Sequence, residues 1–373
     1  MKQIGIFIII SLGFFSCTHE NGEWDGPGGN AHTLTLTYTI PDAIGGDGTT
    51  RAVNYVESTA RESTVNGLHL LFFHSDSHGN GTFVASASAT LKDANLKQNS
   101  ITVTLPAGVN EANEYAVLVI ANLADYITAA NELATYLASF RTKTYGQAMA
   151  ELQVVLPENA GGSGTSGTSE PAYTFPGGIL PMSGTTVKSA GQAAMSVDLL
   201  RAAVRIDVKV PDYLTGSITL NEVQLRNVAS VVPFFRTQEE ITVPRVTCAR
   251  QAVTGNLVQG GLYAVETSLD VSDPHKLLSG ATCLLINLKR PILHTGTNAD
   301  KTWYRINLNV DDTGMQYLKR NNAYTVVITG VFAPGSTTPE EAYYDKATLI
   351  DAVTIPTGWQ SSGVTTPPDV VIQ

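Results

Sequence analysis

Residues 33–40 read TLTLTYTI, and this stretch decides the fold. Apolar and threonine side chains alternate without a break, which places every apolar one on the same face of a β-strand. That face holds Leu34, Leu36, Tyr38 and Ile40. We predict a strand that must bury one face in a core.

The chain begins with a charged residue and a short apolar run. Lys2 precedes residues 4–15, which have the length of a secretory signal and are too short to span a bilayer stably. Ser16 and Cys17 end this run as a lipoprotein processing site would. The pattern predicts a signal peptide over residues 1–16 and a lipid on Cys17. An ordinary signal peptide with an incidental cysteine is the alternative.

A turn-forming loop separates the strand from the rest of the chain. Residues 41–50 contain one proline and three glycines, which favours an exposed segment that a protease can reach. Arg51 and Ala52 lie directly behind it, and Arg61 and Glu62 follow. We therefore expect the first strand to be joined to the remaining chain by a cleavable loop.

Composition limits the class of protein. A chain of 373 residues with 43% hydrophobic content has room for two domains, since a domain takes about 100–200 residues. A net charge of -10 with 23 basic residues argues against binding to nucleic acid or to an anionic membrane surface. Cys248 and Cys283 could form a disulfide or stay as two buried thiols, and their spacing decides neither.

Short β-type runs separated by turn residues recur along the chain, which is typical of antiparallel sandwiches. We predict strands at 65–73, 82–91, 100–105, 115–121, 194–200, 202–210, 217–226, 283–289, 303–310 and 324–331. Only residues 124–140 have helical spacing, and the Gly-, Ser- and Thr-rich residues 159–176 predict a surface loop. The predicted fold class is all-β with a minor helix, and the domain boundary is placed near Met195.

Catalytic motifs are not recognisable in this sequence. A nucleophile elbow, a phosphate-binding loop and a zinc-protease helix are all missing. The loop HSDSHGNG at 74–81 fits no metal-ligand spacing and also suits a plain hairpin turn. We predict a structural surface protein without a cofactor or metal, and not an enzyme.

Four segments, in this order, resemble the type V pilins, the FimA-like fimbrillins. They are YAVLVIAN at 115–122, LPMSG at 180–184, VDLLRAAVRID at 197–207 and RNNAY at 320–324. WYRIN at 303–307 and Trp359 also look like that family. The resemblance extends from the leader to about Trp359.

The resemblance implies two tandem transthyretin-like β-sandwich domains in a lipoprotein precursor carried to the outer membrane. By this pattern residues 17–51 form a propeptide, residues 52–195 the N-terminal domain and residues 196–373 the C-terminal domain. An arginine-specific protease would cut between Arg51 and Ala52, with Arg61–Glu62 as the second candidate. The cut would remove the first strand, and a strand from a neighbouring pilin subunit would replace it.

Burial energy supports this scheme independently of the family. Four buried side chains at about 1.5–3 kcal/mol each contribute roughly 6–12 kcal/mol, against a domain stability of about 5–15 kcal/mol. A domain without its first strand would therefore need a replacement strand. The predicted donor region is 347–373, with Leu349, Val353, Ile355, Val370 and Ile372 as the candidate apolar contacts. Residues 347–355 could instead complete the C-terminal sandwich.

Two functions remain open at this point. The first is a polymerising subunit of a surface fimbria, with a stalk subunit favoured because the chain has both a removable strand and a donor tail. The second is a lipoprotein that does not polymerise and binds glycans or host ligands through sandwich loops. Trp303 and the pair Tyr343 and Tyr344 would be its aromatic platform.

Overall fold

The computed structural model describes residues 32–42, 55–57, 59–76, 78–91, 96–159, 172–235, 244–310, 312–345 and 350–360. The first half of the chain forms β1 (Thr33–Thr39), β2 (Tyr55–Glu57), β3 (Gly67–His74), β4 (Phe83–Thr90), β5 (Gln98–Thr104), β6 (Tyr115–Ala121), α1 (Ala130–Ala138), α2 (Tyr145–Glu151), β7 (Gln153–Val155), β8 (Glu158–Asn159), β9 (Ala172–Tyr173), β10 (Met182–Lys188) and β11 (Ala194–Asp198).

The second half continues with β12 (Leu200–Arg201), β13 (Val204–Lys209), β14 (Thr219–Arg226), β15 (Val228–Ala229), β16 (Val231–Pro233), β17 (Arg245–Val246), β18 (Gln251–Ala252), β19 (Leu257–Val258), β20 (Tyr263–Ala264), β21 (Thr267–Asp270), α3 (Pro274–Ser279), β22 (Cys283–Lys289), β23 (Trp303–Asn307), β24 (Met315–Leu318), β25 (Ala323–Val331), α4 (Pro339–Tyr344) and β26 (Ile350–Gln360). Short 3-10 turns lie at Ala60–Ser63, Leu123–Asp125, Ser139–Thr142, Pro176–Gly178, Asp212–Leu214 and Gly296–Asn298.

Two sandwiches follow one another. In the first, the sheet β11-β1-β5 faces the sheet β12-β10-β6-β3-β4, and their inner faces share one apolar core. In the second, the sheet β19-β13-β25-β26-β2 faces the sheet β18-β14-β22-β23. The predicted all-β fold with two sandwiches is confirmed.

The two sandwiches are joined by a continuous core. The outer faces of β3 and β6 carry Leu71, Leu118 and Ile120, and these pack in the same cluster as the interior of the second sandwich. Phe140, which follows α1, is 2% exposed and belongs to this cluster as well. The outer face of a sheet in the first sandwich is therefore covered and not open to water.

The helical region differs from the sequence prediction. Helix α1 starts at Ala130, six residues later than the predicted start at 124, and a second helix, α2, follows it. Asn122 has a positive φ of 64° and its side chain binds the carbonyls of Thr64 and Leu180, so the chain turns sharply there. Thr144 caps α2 together with Gln147, a capping box that the periodicity of apolar residues does not reveal.

Apart from β2, the strands of the second sandwich begin with β13 at Val204, C-terminal to the predicted boundary near Met195. Strand β11 lies in the first sandwich, β12 pairs with β10 there, and β13 is the next strand to enter the second sandwich. Strand β2, which the prediction places in the first domain, pairs with β26 in a sheet of the second. The chain therefore contributes β1 to the first sandwich, then β2 to the second, and returns to the first with β3.

Candidate functional site: the groove of the first strand

Strand β1 is hydrogen-bonded along both edges. It pairs antiparallel with β5, from Thr33 opposite Thr104 to Thr39 opposite Gln98, and parallel with β11 over residues 35–39. It is the central strand of its sheet. Without β1, the strands β5 and β11 would lose the ladder that joins them, and an open groove would remain between them.

The apolar face of β1 fills this groove completely. Leu34, Leu36, Tyr38 and Ile40 are each 0% exposed and pack in one cluster with the inner faces of β3 and β6. The threonines alternate with them, and Thr33 and Thr35 are exposed. Burial raises the pKa of Tyr38, and the side chain of Asn99, the residue opposite it on β5, opposes this rise. Apart from the phenol hydroxyl of Tyr38, the side chains that fill the groove are apolar. The groove therefore fits a strand in which every second side chain is apolar.

Backbone contacts fix both ends of β1. At its start the carbonyl of His32 accepts a hydrogen bond from Leu105 N at 2.9 Å. Beyond its last residue, Ile40 N donates to Lys97 O and Leu199 N donates to Thr39 O, each at 2.8 Å. The docked segment therefore covers about the same residues as the alternating pattern in the sequence.

The predicted lipid site and cleavage bond lie outside the described residues. Cys17 belongs to the undescribed start of the chain, and Arg51 and Ala52 fall between Asp42 and β2. These two predictions remain predictions. Strand β1 precedes this segment and strand β2 follows it.

The second candidate cleavage bond lies in a structured turn. Arg61 is exposed and donates to the carbonyl of Gly177 at 3.2 Å, whereas Glu62 is 0% exposed. The amide of Glu62 donates to Thr59 O at 3.1 Å, within the 3-10 turn Ala60–Ser63. A protease would have to unwind this turn and extract a buried carboxylate to reach the bond.

Glu62 belongs to a group of buried polar side chains between the two sandwiches, which we call the junction cluster. Its members are Glu62, Arg201, Arg205, Asp207 and Tyr263. Glu62 Oε2 lies 3.0 Å from Arg205 Nη1, and Tyr263 OH donates to Glu62 Oε1 at 2.6 Å. Arg205 Nε donates to Asp207 Oδ1 at 2.9 Å.

Arg201 connects the junction cluster to the backbone of the first sandwich. Its Nε donates to the carbonyl of Glu62 at 2.9 Å and its Nη2 to Ser63 Oγ at 3.1 Å, while Nη1 reaches Asn321 Oδ1 in the second sandwich at 2.9 Å. Burial lowers the pKa of Arg201 to about 10, and Glu62 opposes this shift. Burial raises the pKa of Asp207, whereas the positive charge of Arg205 lowers it.

Sequence reasoning missed the junction cluster, although a signal was present. Residues 197–207 belong to two predicted strands and to the family resemblance, and they contain Asp198, Arg201, Arg205 and Asp207 among apolar residues. Charged residues are almost never fully buried unless they are paired. Arg205 and Asp207 inside the predicted strand 202–210, with Arg201 directly before it, therefore point to buried ionic partners.

The predicted donor region is only partly described. Val353 and Ile355 lie in β26, whose backbone pairs with β25 on one side and with β2 on the other. Leu349, Val370 and Ile372 lie outside the described residues. Residues 350–360 lie between β25 and β2 in a sheet of the second sandwich. The role of this segment as a donor stays a prediction.

The aromatic platform of the alternative function is largely covered. Trp303 is 5% exposed and packs with Leu285 and Ala342, and the guanidinium of Arg250 lies 5.3 Å from its ring centre. Tyr343 is stacked by two arginines, Arg226 and Arg305. Tyr344, which is 70% exposed, is the one member of the platform open to a sugar ring.

The other candidate groups from the sequence are the loop at 74–81 and the two cysteines, Cys248 and Cys283. Asp76 accepts hydrogen bonds from the amides of His78 and Asn80, so its carboxylate closes the turn in the HSDSHGNG loop. Across the part of the chain that the structure describes, no group of three His, Cys, Asp or Glu side chains could hold a metal ion. Cys248 and Cys283 are buried free thiols, and burial raises the pKa of Cys283 to about 11.

No helix among the described residues is both long and apolar enough to cross a membrane. No protein-family model and no curated protein matches the sequence.

Several solved structures share the fold. A candidate cell adhesion protein from Parabacteroides distasonis ATCC 8503 superposes with a TM-score of 0.53 at 15% identity, covering 90% of this chain and 99% of that one. A candidate cell adhesion protein from Bacteroides eggerthii DSM 20697 gives 0.51 at 18% identity, covering 89% and 99%. The tip fimbrial protein Mfa3 from Porphyromonas gingivalis, truncated at its C-terminus, gives 0.49 at 13% identity, covering 87% and 99%. At these identities the first two likenesses show a common fold.

Proposed function

We propose that the protein is a structural subunit of a cell-surface fimbria, made as a lipoprotein precursor, cut after Arg51 and polymerised by strand exchange. One observation carries this proposal: strand β1 fills its groove completely. Its four apolar side chains are 0% exposed, both of its edges are paired, and the segment behind it contains an arginine. The fold shared with candidate adhesion proteins supports a role at the cell surface.

The scheme has a defined order. The lipid on Cys17 holds the precursor at the outer membrane, and β1 keeps the groove filled during export. An arginine-specific protease then cuts between Arg51 and Ala52, which separates β1 and the lipid anchor from the remaining chain. Arg61–Glu62 is the weaker candidate because Glu62 is held in the junction cluster.

The emptied groove takes a strand from a second pilin subunit. Strand addition restores the ladders on β5 and β11 and reburies the apolar lining, and such main-chain pairing is a known mode of recognition. We assign the donor to residues 347–373, which include β26. Strand β26 has 11 residues and β1 has 7, so the donor is long enough to fill the groove.

Release of β26 would cost its present backbone pairing. Eight residues of β25 and three of β2 pair with it in the uncut chain. The groove offers two flanking strands, β5 and β11, in return. The backbone hydrogen bonds that β26 loses with β25 and β2 are therefore replaced by similar ones. A chain with both a removable strand and a donor fits a stalk subunit best, since a tip subunit needs no donor.

The test uses the purified full-length precursor and an arginine-specific protease. We expect N-terminal sequencing to find a new start at Ala52, and size-exclusion chromatography to find oligomers that the uncut precursor does not form. Arg51→Gln should abolish both changes, while the matched variant Arg61→Gln should leave both intact. Clean cutting at Ala52 without oligomers would refute polymerisation, and cutting only after Arg61 would refute the assigned bond.

A further inference from the structure

The end of the second sandwich that lies away from the first is built from four turns, which we call the C pole: residues 210–218, 255–257, 290–294 and 331–332. Hydrogen bonds join the turns in two pairs: Val210 N donates to Asn256 O at 3.0 Å, and Arg290 Nη1 donates to Val331 O at 2.6 Å. Strand β13 starts near the junction cluster at Arg205 and runs toward this end. The C pole is therefore a firm surface opposite the first sandwich.

Large apolar side chains project from the C pole. Ile292 is 76% exposed, Tyr213 74%, Phe332 64% and Leu257 45%. Among the described residues, the first three are three of the four most exposed large hydrophobic side chains. Single exposed apolar residues are ordinary, but several that project from the same end of a molecule favour an interaction surface there.

The opposite end of the molecule carries the mouth of the groove. We define the N pole as His32 and residues 106–114, which frame the start of β1. Leu105 and Val109 line this mouth, since both pack against the core that contains β1. Removal of β1 would uncover part of their apolar surface.

The charges of the two poles are complementary. Glu111 and Glu114 are exposed on the N pole, and one buried lysine, Lys188, lies beneath them with its Nζ 2.8 Å from the carbonyl oxygen of Glu111. The C pole and its borders carry four basic residues, Lys209, Lys289, Arg290 and Lys301, against three acidic ones, Asp212, Asp300 and Asp351. Electrostatic attraction therefore favours contact between an N pole and a C pole over contact between like poles.

The proposed donor strand also begins at the C pole, because Ile350 of β26 pairs with Val331. If β26 swings out from its first residue, the donor leaves the molecule among the exposed apolar side chains. A neighbour that receives the donor must then bring the mouth of its groove close to them.

We propose that the C pole is a docking surface for the N pole of a second copy of this chain. The contact places Tyr213, Ile292 and Phe332 against the apolar mouth uncovered by loss of β1. It deepens the proposed function and rests on it, since the mouth opens only after cleavage. Docking orients the incoming donor and adds affinity that the strand alone does not provide.

The first test removes the apolar surface without touching the groove or β26. The triple variant Tyr213→Ser, Ile292→Ser and Phe332→Ser is compared with Val155→Ser and Tyr344→Ser, which replace residues 62% and 70% exposed outside the C pole. After cleavage, light scattering should show elongation slowed by roughly tenfold or more, the change that about 1.4 kcal/mol of contact energy produces. The control variant should elongate at the wild-type rate, and all precursors should unfold at similar urea concentrations.

The second test identifies the contact. One copy carries Phe332→Cys and another carries Ala112→Cys on the N pole, and a short bismaleimide links thiols in the assembled polymer. The buried Cys248 and Cys283 should not react. We expect links between the two kinds of copy and few links between identical copies.

The outcomes separate the two proposals. If wild-type and triple variant polymerise equally, or if links form only between identical copies, the docking surface is wrong and strand exchange stands. If the cleaved wild-type protein forms no polymer, the proposed function fails and the docking surface fails with it.

Discussion

The groove of β1 and the junction cluster are both fully buried, yet opposite kinds of interaction stabilise them. The groove is filled by apolar side chains and a backbone ladder, whereas the junction cluster consists of Glu62, Asp207, two arginines and a tyrosine. Apolar contact is non-directional, so another strand with the same alternation can replace β1. A buried ion pair requires its own partner at the correct distance. The first region is suited to exchange and the second to permanence.

The largest effect should come from removing β1. We expect the cut protein to lose roughly 6–12 kcal/mol from the first sandwich, the burial energy of four side chains. A synthetic peptide of residues 33–40 should restore the urea midpoint in a concentration-dependent way, because it binds the folded state only. The same peptide with Leu36→Asp should not restore it. Equal rescue by both peptides would mean that the groove does not recognise the apolar face.

A smaller effect should follow from breaking the junction cluster. Arg205→Leu removes the side chain that forms ion pairs with both Glu62 and Asp207, and removal of one partner of a buried pair costs about 3–5 kcal/mol. Urea unfolding measures this loss. The loss should be the same before and after cleavage at Arg51, in contrast to variants in β1. Lys143→Met, which removes a partly exposed ion pair with Glu151, is the control and should change stability by less than about 1 kcal/mol.

The smallest effect concerns pH. Since burial raises the pKa of Tyr38 above its usual value of 10.0, the neutral phenol is favoured in the folded state. This contribution to stability is complete below about pH 10 and declines as the pH rises through the raised pKa. Tyr38→Phe should therefore lose less stability than the wild type between pH 9 and pH 11, as measured by urea midpoints. A larger loss in the variant would contradict the assigned direction.

Much of the fold is readable from local sequence. Strands β6 and β22 match the predicted residues 115–121 and 283–289 at both ends, because long apolar runs bounded by turn residues leave little freedom in their limits. The helical region was less well predicted. The first helix starts later than predicted because the chain turns at Asn122. The side chain of Asn122 donates to the carbonyls of Thr64 and Leu180, each 58 positions away in the chain.

The candidate site, like the fold, is readable from the sequence only in part. The sequence by itself determined the alternation of residues 33–40, and with it the four side chains that β1 buries, since a strand repeats every two residues wherever it lies. Only the tertiary structure decided that β1 pairs with β5 and β11, that β26 lies between β25 and β2, and that Glu62 meets Arg205. These contacts join residues far apart in the chain. Their energies depend on which faces are brought together and desolvated, and local sequence does not encode that choice.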